Sequence, residues 1–494
     1  MSGPTRKARA RCREDPERYR PCVRCGGCLP PYGRWPEGVV CQHCAARAKR
    51  TSGVCAGCSH QGVLPGFDAD GRPICRTCSG ISLPVDCLRC ATEAWLYRAG
   101  TCWRCALADQ VDALLAGPDG NPPMALVPLA DALKGMASAN SGITWLRSAR
   151  VQEMLRQLAS GEVALTHAAI DALPASRTVE HMRELLVAHG ALPGRDRYLA
   201  AFQRWCAPKL ASVADPEHRR AVEAFVRWHV LPHLRNHAAD TAVGTNSFLR
   251  AKQSVTTAIE LLEWLSQRGR SLAEWTQGDV DAWFAGGTST RKLSHPFAYW
   301  AIRTRRAGRV DVPRAEPRSH PKVSESERLS SLRRLLLNDA LHLHWRVAGA
   351  LVLLFGQPAV RISGLRLEQL SVLDGGRVRI RIAADWLEVP EPLAVLVCTH
   401  LAARPNMQTA TNATSPWVFP GVLAGRHIDP GTLVTQLRSI GVPVMATKTG
   451  TWHQLVREGP PTLLAQALGI SPVTAMKHAQ AAGADWLRYA SLAR

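Results

Sequence analysis

Paired cysteines crowd the first fifth of the chain and limit what that part can fold into. Fourteen of the 16 cysteines lie between Cys12 and Cys105, most of them spaced as Cys-x-x-Cys. Taken two pairs at a time they form three repeats of roughly two dozen residues, each with a glycine shortly before its second pair. Segments this short cannot fold on a hydrophobic core alone, so crosslinks or bound metal must stabilise them.

The spacing within each pair favours metal over disulfides. Two residues between thiolates let one tight turn point both sulfurs at a tetrahedral ion, and the second pair completes the coordination sphere. We therefore predict about three structural zinc ions, with iron as the competing metal because four thiolates accept either. The predicted ligands are Cys22, Cys25, Cys41 and Cys44; Cys55, Cys58, Cys75 and Cys78; and Cys87, Cys90, Cys102 and Cys105.

The first repeat offers a rival pairing. Cys25 and Cys28 have the same spacing as Cys22 and Cys25. We prefer Cys22, because the resulting spacer of 15 residues is closer to the 16 of the second repeat. Cys12 and Cys28 then remain outside the predicted sites.

Charge points to a polyanionic partner. The 494 residues hold 61 Lys and Arg against 40 Asp and Glu, a net charge of +21. Residues 1–50 carry 12 basic and 4 acidic residues, whereas residues 51–110 carry 5 of each, so the basic arm is the expected phosphate contact. We find no apolar run of membrane-spanning length and no secretory signal. The expectation is a cytoplasmic, nucleoid-associated protein that binds double-stranded DNA and no membrane; an ordinary basic enzyme is the alternative.

Helical periodicity replaces the cysteine pattern from Ala106 onward. Residues 111–197 predict a helical connector without chemical motifs, and residues 198–312 predict longer helices with one apolar face. Thr276 is a predicted N-cap, with Asp279 adding a favourable charge in the first turn. The fold class is therefore multidomain and mainly α, with small zinc-ribbon-like repeats of four cysteines each.

Several motifs of the second half resemble the tyrosine site-specific recombinases, the phage-integrase family. Ser271–Phe284 is similar to the "lt..dv..yl" stretch of that family's helical core-binding domain. Val360–Leu370 is similar to the "tGlRisEL..L" box, Trp417–Gly421 to "lFPg", and Leu463–Ala475 to "vq..LGHss..tt". The chain thus resembles a divergent family member with N-terminal four-cysteine zinc-binding repeats.

The resemblance implies an architecture and partners. The residues themselves predict a basic arm with three four-cysteine repeats over 1–110 and a connector over 111–197, and the resemblance adds a helical core-binding domain, a DNA clamp, over 198–312. A basic linker (313–322) and a mixed α+β recombinase-like catalytic domain (323–494) follow. Arg361 matches the arginine that holds the scissile phosphate, a task suited to a planar guanidinium. Double-stranded DNA and other recombinase protomers are the implied partners, with no small-molecule cofactor.

The departures from the family pattern fall on its catalytic residues. No lysine occurs between Lys322 and Lys448, and no His-x-x-Arg occurs in this half. Ile470 replaces the histidine of "LGH", and Ala479 stands where the nucleophilic tyrosine belongs. Tyr489, the only tyrosine of this domain, is the candidate nucleophile.

Two functions from different classes follow. One is a divergent recombinase that acts in DNA recombination or integration through a 3′-phosphotyrosine. The other is a catalytically degenerate DNA-binding regulator or accessory factor, in which Leu464–His478 fits a helix-turn-helix. A zinc-ribbon scaffold that binds proteins is a third, weaker option.

Overall fold

The computed structural model describes residues 19–240, 242–313 and 322–484. It is mainly helical and separates into two compact units. The first unit contains the chain up to Leu192 together with Gln408–Ala413, and the second contains Pro193–Met407 and the chain from Thr414 onward. Cys12, Tyr489 and most of the predicted 313–322 linker lie outside the described residues.

The cysteine-rich part is built from short antiparallel hairpins and two helices. Its strands are β1 (Arg20–Pro21), β2 (Cys28–Leu29), β3 (Pro31–Trp35), β4 (Gly38–Cys41), β5 (Ser52–Val54), β6 (Gln61–Val63), β7 (Gly66–Phe67), β8 (Pro73–Ile74), β9 (Leu96–Arg98) and β10 (Thr101–Cys102), and its helices are α1 (Gln42–Arg50) and α2 (Arg76–Ser79). Consecutive strands pair, β1 with β2 through β9 with β10. Because hairpins lead directly into cysteine pairs, the strands set the position of the sulfurs.

A bundle of short helices follows. It contains α3 (Trp103–Leu115), a 3₁₀ turn (Met124–Leu126), α4 (Val127–Gly135), α5 (Ala139–Leu146), α6 (Ala149–Ser160), α7 (His167–Asp171) and α8 (Arg177–Ala188). The chain is extended at Ser148, which separates α5 from α6.

Helix α3 joins the cysteine-rich part to this bundle. It begins at the third four-cysteine repeat and buries Leu107, Val111 and Leu115 among the bundle helices. The domain boundary expected at residue 110 therefore falls inside a continuous helix.

The second unit begins with a helical core. Its elements are α9 (Arg197–Ala211), α10 (Pro216–Phe225), a π-helical segment (Val226–Val230), α11 (Leu231–Asp240), α12 (Thr245–Gln267), α13 (Gln277–Ala285), a 3₁₀ segment (Ser289–Ser294) and α14 (His295–Arg303). One hydrophobic cluster extends from Phe202 to Val312. The capping interaction expected at Thr276 is confirmed, because its hydroxyl accepts the Asp279 amide while the Asp279 carboxylate accepts the Thr276 amide.

A second hydrophobic cluster, from Leu335 to Ala482, lies in the C-terminal part. Its elements are α15 (Glu325–Leu337), α16 (Leu343–Phe355), α17 (Ala359–Ser363), 3₁₀ turns (Leu367–Gln369 and Asp374–Gly376), β11 (Leu370–Val372), β12 (Val378–Arg381), β13 (Trp386–Val389), α18 (Glu391–Ala402), α19 (Pro430–Ser439), α20 (Val444–Glu458), α21 (Pro461–Leu468) and α22 (Pro472–Ala482). The strands form one antiparallel sheet in the order β11-β12-β13. Its central strand, β12, alternates apolar and basic residues, with Val378 and Ile380 buried.

Within the described ranges, no helix combines the length and apolar character that a membrane crossing needs.

Candidate functional site

The structure brings the paired cysteines together as three groups of four. In each group the four sulfur atoms lie within 4.8 Å of one another. The groups are Cys22, Cys25, Cys41 and Cys44; Cys55, Cys58, Cys75 and Cys78; and Cys87, Cys90, Cys102 and Cys105. The first group contains Cys22 and not Cys28. Each group could hold a metal ion.

All three groups share one local geometry. The third cysteine of each group (Cys41, Cys75 or Cys102) is the N-cap of a helix, and its Sγ accepts the amide of the fourth cysteine. Its own amide donates to the first sulfur of the group at 3.2–3.3 Å. A helix N-terminus and convergent amide donors both stabilise thiolates. The three sequence repeats therefore share the same set of amide–sulfur hydrogen bonds.

The sulfur separations fit a shared ion. Neighbouring Sγ atoms lie 3.6–3.9 Å apart. A tetrahedron with metal–sulfur bonds of about 2.3 Å has edges of about 3.8 Å, whereas a disulfide requires about 2.05 Å. The quartets are therefore spaced as ligands of a common metal.

Hydrogen bonding gives the thiols within one group of four different pKa values. The amide of Cys75 lowers the pKa of Cys55 to about 6, and the amide of Cys102 lowers the pKa of Cys87 to about 6. By contrast, a hydrogen bond to Cys58 raises the pKa of Cys78 to about 12. Four thiolates side by side repel one another, so ionising a whole quartet requires a cation between them.

The three repeats interlock. The Glu93 carboxylate of the third repeat accepts the Val63 amide of the second at 3.0 Å and pairs with Arg76 at 3.0 Å. Arg24 of the first repeat donates to the Pro65 carbonyl at 2.7 Å. One hydrophobic cluster extends from Cys22 to Val85. Side chains of the first and third repeats therefore reach the backbone of the second. Together the three repeats form a single unit, which we call the cysteine block.

Arg361, the predicted phosphate ligand, is anchored in the C-terminal part by neutral oxygens. Its guanidinium donates to the Gln357 side chain at 2.8 Å and to the carbonyls of Leu468 and Gly469 at 2.7 and 2.9 Å. These carbonyls lie at the C-terminal end of α21, the negative end of its dipole. Burial lowers the pKa of Arg361. The side chain thus fixes α17 against α21 and keeps its charge without a carboxylate partner among the described residues.

A chain of further cations begins at Arg361 and continues through Lys448. Burial, then the neighbouring Arg361 charge, lowers the pKa of Lys448. Burial also lowers the pKa of His478, with further contributions from Lys448 and Lys322. The His453 and His478 rings lie 5.7 Å apart. These five residues, Arg361, Lys448, Lys322, His453 and His478, are referred to below as the cation cluster.

The packing around α20 explains why these side chains meet. Gly450 allows the chain to pass against the helix, since a Cβ there would lie 2.3 Å from the Val323 carbonyl. This contact places neighbouring Lys322 beside α20. On the other side, the ring of His478 stacks on the buried Trp452 ring at 5.8 Å.

The cation cluster has no compensating acid in the part of the chain that the structure describes. None of its members is within 4.0 Å of a carboxylate there. Uncompensated cations in a half-buried position lower one another's pKa and favour an anion between them. Phosphate satisfies such a cluster well, because its oxygens accept from guanidinium, ammonium and imidazolium donors alike.

Two positions that match catalytic residues of the recombinase family hold apolar side chains. Ala479 is 1% exposed and belongs to the C-terminal hydrophobic core, and Ile470 packs against that core. The turn between β12 and β13, residues 382–385, contains no lysine. Tyr489 lies outside the described residues.

The helical core of the second unit adds a groove between α9 and α12. Its volume is about 380 Å³, and Lys209, Lys252, Gln253 and Thr256 are among its lining residues. The Lys252 ammonium lies 4.9 Å from the Trp205 ring centre. A groove with amines and hydroxyls offers donors of the kind that contact a phosphate backbone.

Sequence reasoning missed part of the cation cluster. Lys322 stands in the sequence as one more linker charge, and no motif marks His453 or His478. His478 lies beside the residue in the nucleophile's place, but its neighbours come from elements more than 20 residues away in the sequence. Only the fold brings them together.

Comparison with known proteins gave structural neighbours alone. No protein-family model and no curated protein sequence matches this chain. A XerH site-specific recombinase bound to difH substrate in a pre-cleavage complex matches with 12% identity and a TM-score of 0.36, over 61% of this chain and 97% of that one. The Tn1549 transposon integrase in complex with circular intermediate DNA matches with 15% identity and a TM-score of 0.33, over 50% and 94%. These neighbours are tyrosine recombinases, the class named by the sequence motifs.

Proposed function

We propose that this protein binds duplex DNA through a recombinase-like half and does not itself cut the strand. The observation that carries the proposal is the cation cluster, whose members apart from the exposed Lys322 are half-buried and which has no ion-paired carboxylate among the described residues. The "tGlRisEL..L" resemblance assigns Arg361 a phosphate, and the cluster provides the charge to hold one. Duplex DNA presents phosphates at the spacing that an extended basic surface requires.

Two observations support binding without cleavage. Cleavage by this family needs a nucleophile and proton-transferring groups that act as one unit, and removal of several such groups costs many orders of magnitude in rate. Ile470 and Ala479 cannot transfer protons or attack phosphorus. Arg361, in addition, uses two of its nitrogens to hold Gln357 and the end of α21. The site is therefore suited to hold a phosphate and not to activate it.

The remaining parts of the chain would extend the DNA contact. We assign residues 198–312 to a DNA clamp, with the groove between α9 and α12 as one contact surface. Nine basic residues between Arg291 and Lys322 would follow the backbone of the bound duplex. Residues 323–494 would hold the phosphate at the cation cluster. A regulatory or accessory role in DNA recombination is the function that this arrangement supports best.

The cysteine block is assigned three structural zinc ions. Four sulfur ligands close the coordination sphere, so the metal would stabilise the fold and carry no reaction. The sulfur spacing and the repeated amide–sulfur bonds support this assignment. The block carries the end of the basic arm with it and would hold that arm next to the DNA.

Removing one charge from the cation cluster should change the salt dependence of DNA binding. Lys448→Gln keeps much of the side-chain length but loses the charge, so the slope of log affinity against log salt should fall by about 0.9 for duplex DNA. Fluorescence anisotropy with a labelled duplex over a salt series measures it. Lys134→Gln is the matched control, because Lys134 already pairs with Asp112 and its loss should leave the slope unchanged. Equal slopes for the wild type and Lys448→Gln would show that the cation cluster does not contact the DNA phosphates.

DNA binding should strengthen as the pH falls. Burial keeps His478 and His453 below their ordinary pKa of 6.5, so both are neutral in the free protein at pH 7. A phosphate between them favours the protonated rings and raises their pKa, so binding takes up protons. Affinity at constant salt should therefore rise severalfold between pH 8 and about pH 6. His453→Gln/His478→Gln should flatten that rise; a double variant with the wild-type pH profile would contradict the assignment.

A further inference from the structure

A column of closely packed, mutually tilted rings and guanidinium groups crosses the cysteine block. Arg50, the last residue of α1, lies 4.0 Å over the Trp95 ring. The Trp95 and Trp103 rings are 4.9 Å apart, and Trp103 and Tyr97 are 4.4 Å apart. The Tyr97 hydroxyl accepts hydrogen bonds from two further arginines at its far end, Arg98 at 3.0 Å and Arg147 at 3.1 Å. These six residues are called the arginine–aromatic column.

The cations of the column have no acidic partner, unlike four arginines of the block that pair with carboxylates. Arg72 pairs with Asp68, and Arg89 pairs with Asp109. Arg76 and Arg24 also contact carboxylates. In the described part of the chain, by contrast, no carboxylate lies within ion-pair distance of the three column arginines. Their close partners there are rings and the Tyr97 hydroxyl, which leaves their charge available to an anion.

The column is open to solvent. The three arginines are exposed, and the three rings are half-buried. A guanidinium held flat over a ring keeps its N–H groups at the edge, where they can bind phosphate oxygens. A half-exposed ring offers a face on which a base can stack. Duplex DNA hides its base faces, so stacking rings are of use only to a strand whose bases are unpaired.

We infer that the arginine–aromatic column is a binding site for single-stranded nucleic acid, separate from the duplex contact proposed above. Arg50, Arg98 and Arg147 would hold successive phosphates, and the exposed parts of Trp95 and Tyr97 would stack on bases. The inference stands on the first compact unit alone, so it holds whether or not the cation cluster of the second unit binds a duplex. DNA and RNA strands share the chemistry that the column recognises.

The test uses the full-length, metal-loaded protein and two labelled single strands, oligothymidylate and oligouridylate of about 15 nucleotides. Arg50→Ala/Arg98→Ala removes two column charges. Arg72→Ala/Arg89→Ala is the matched control, with the same change of net charge at exposed but acid-paired arginines. Trp95→Leu removes a stacking face without changing the charge. Metal content and circular dichroism confirm that each variant is folded.

The column variant should lower the salt slope of single-strand binding by about 1.4, and the control should leave it unchanged. Trp95→Leu should weaken binding roughly fivefold or more at an unchanged slope, because it removes stacking surface and the ring under Arg50 but no charge. Preference for one of the two strands would identify DNA or RNA as the source. Equal slopes for the column and control variants, or unchanged affinity in folded Trp95→Leu, would overturn the inference. Duplex binding by the same variants reports on the separate proposal for the second unit.

Discussion

Replacing Cys75 with serine should release metal from more than its own site. Cys75 is the N-cap of α2, and the next residue, Arg76, reaches Asp86 and Glu93 of the third repeat. Structural zinc supplies apparent folding free energies of about 10–16 kcal/mol in small domains, so one lost ligand is enough to unfold a repeat. We therefore expect zinc to fall from about three ions per chain to about one or fewer. Elemental analysis of the purified variant measures this directly.

Cys398→Ser is the control for that experiment. Cys398 is a half-buried cysteine outside the three groups, so the Cys398→Ser protein should contain as much metal as the wild type. Limited proteolysis should cleave within the cysteine block of Cys75→Ser and spare it in the control. A Cys75→Ser protein that loses a single ion and keeps an intact block would show that the repeats fold independently. If the wild-type protein contains iron instead of zinc, the assigned metal would be wrong, but the three groups of four cysteines would still be its ligands.

The wild-type protein should form no covalent adduct with DNA. A nicked duplex traps the phosphotyrosine of an active recombinase, and the adduct survives a denaturing gel. Ile470 and Ala479 occupy the positions of two catalytic residues, and Ala479 is fully packed in the core, so the chemical step should be slower by many orders of magnitude. The experiment uses a pool of nicked duplexes of varied sequence, with a recombinase of established activity on its own site as the positive control.

Tyr489→Phe decides what an unexpected adduct would mean. The substitution removes one hydroxyl and should leave duplex affinity unchanged. An adduct in the wild type that is lost in Tyr489→Phe would make the protein a strand-exchange enzyme and end the proposal of binding without cleavage. An adduct that persists in Tyr489→Phe would point to another nucleophile.

Local chemistry was the part of the fold that could be predicted. The Cys-x-x-Cys spacing predicted the quartets that the structure assembles, since one tight turn decides which two sulfurs can face the same ion. The capping pair Thr276 and Asp279 and the apolar run of Val347–Phe355 were likewise visible in a few adjacent residues. Each of these features depends on neighbours within one turn or one hairpin.

Long-range partners were the part that could not be predicted. Arg361 was expected to face a phosphate, and no pattern around it indicates that it also holds carbonyls 107 and 108 residues away. Glu93 reads as an ordinary acidic residue, although it connects the second and third repeats. In both cases a charged group meets a backbone atom, and a backbone atom has no residue-specific signature in the sequence.

Helix α3 has a practical consequence for dissecting this chain. Its first turn is capped by Cys102, a candidate metal ligand, and its last turns fill the interior of the bundle formed by α4 to α6. A deletion of residues 1–110 would remove Leu107 from that interior and leave the rest of the helix without its start. A fragment made in this way would lose activity through a damaged bundle as well as through missing metal sites. Expression fragments are better started after Leu192, where the N-terminal stretch of the first compact unit ends, and candidate metal sites are better removed by point substitution.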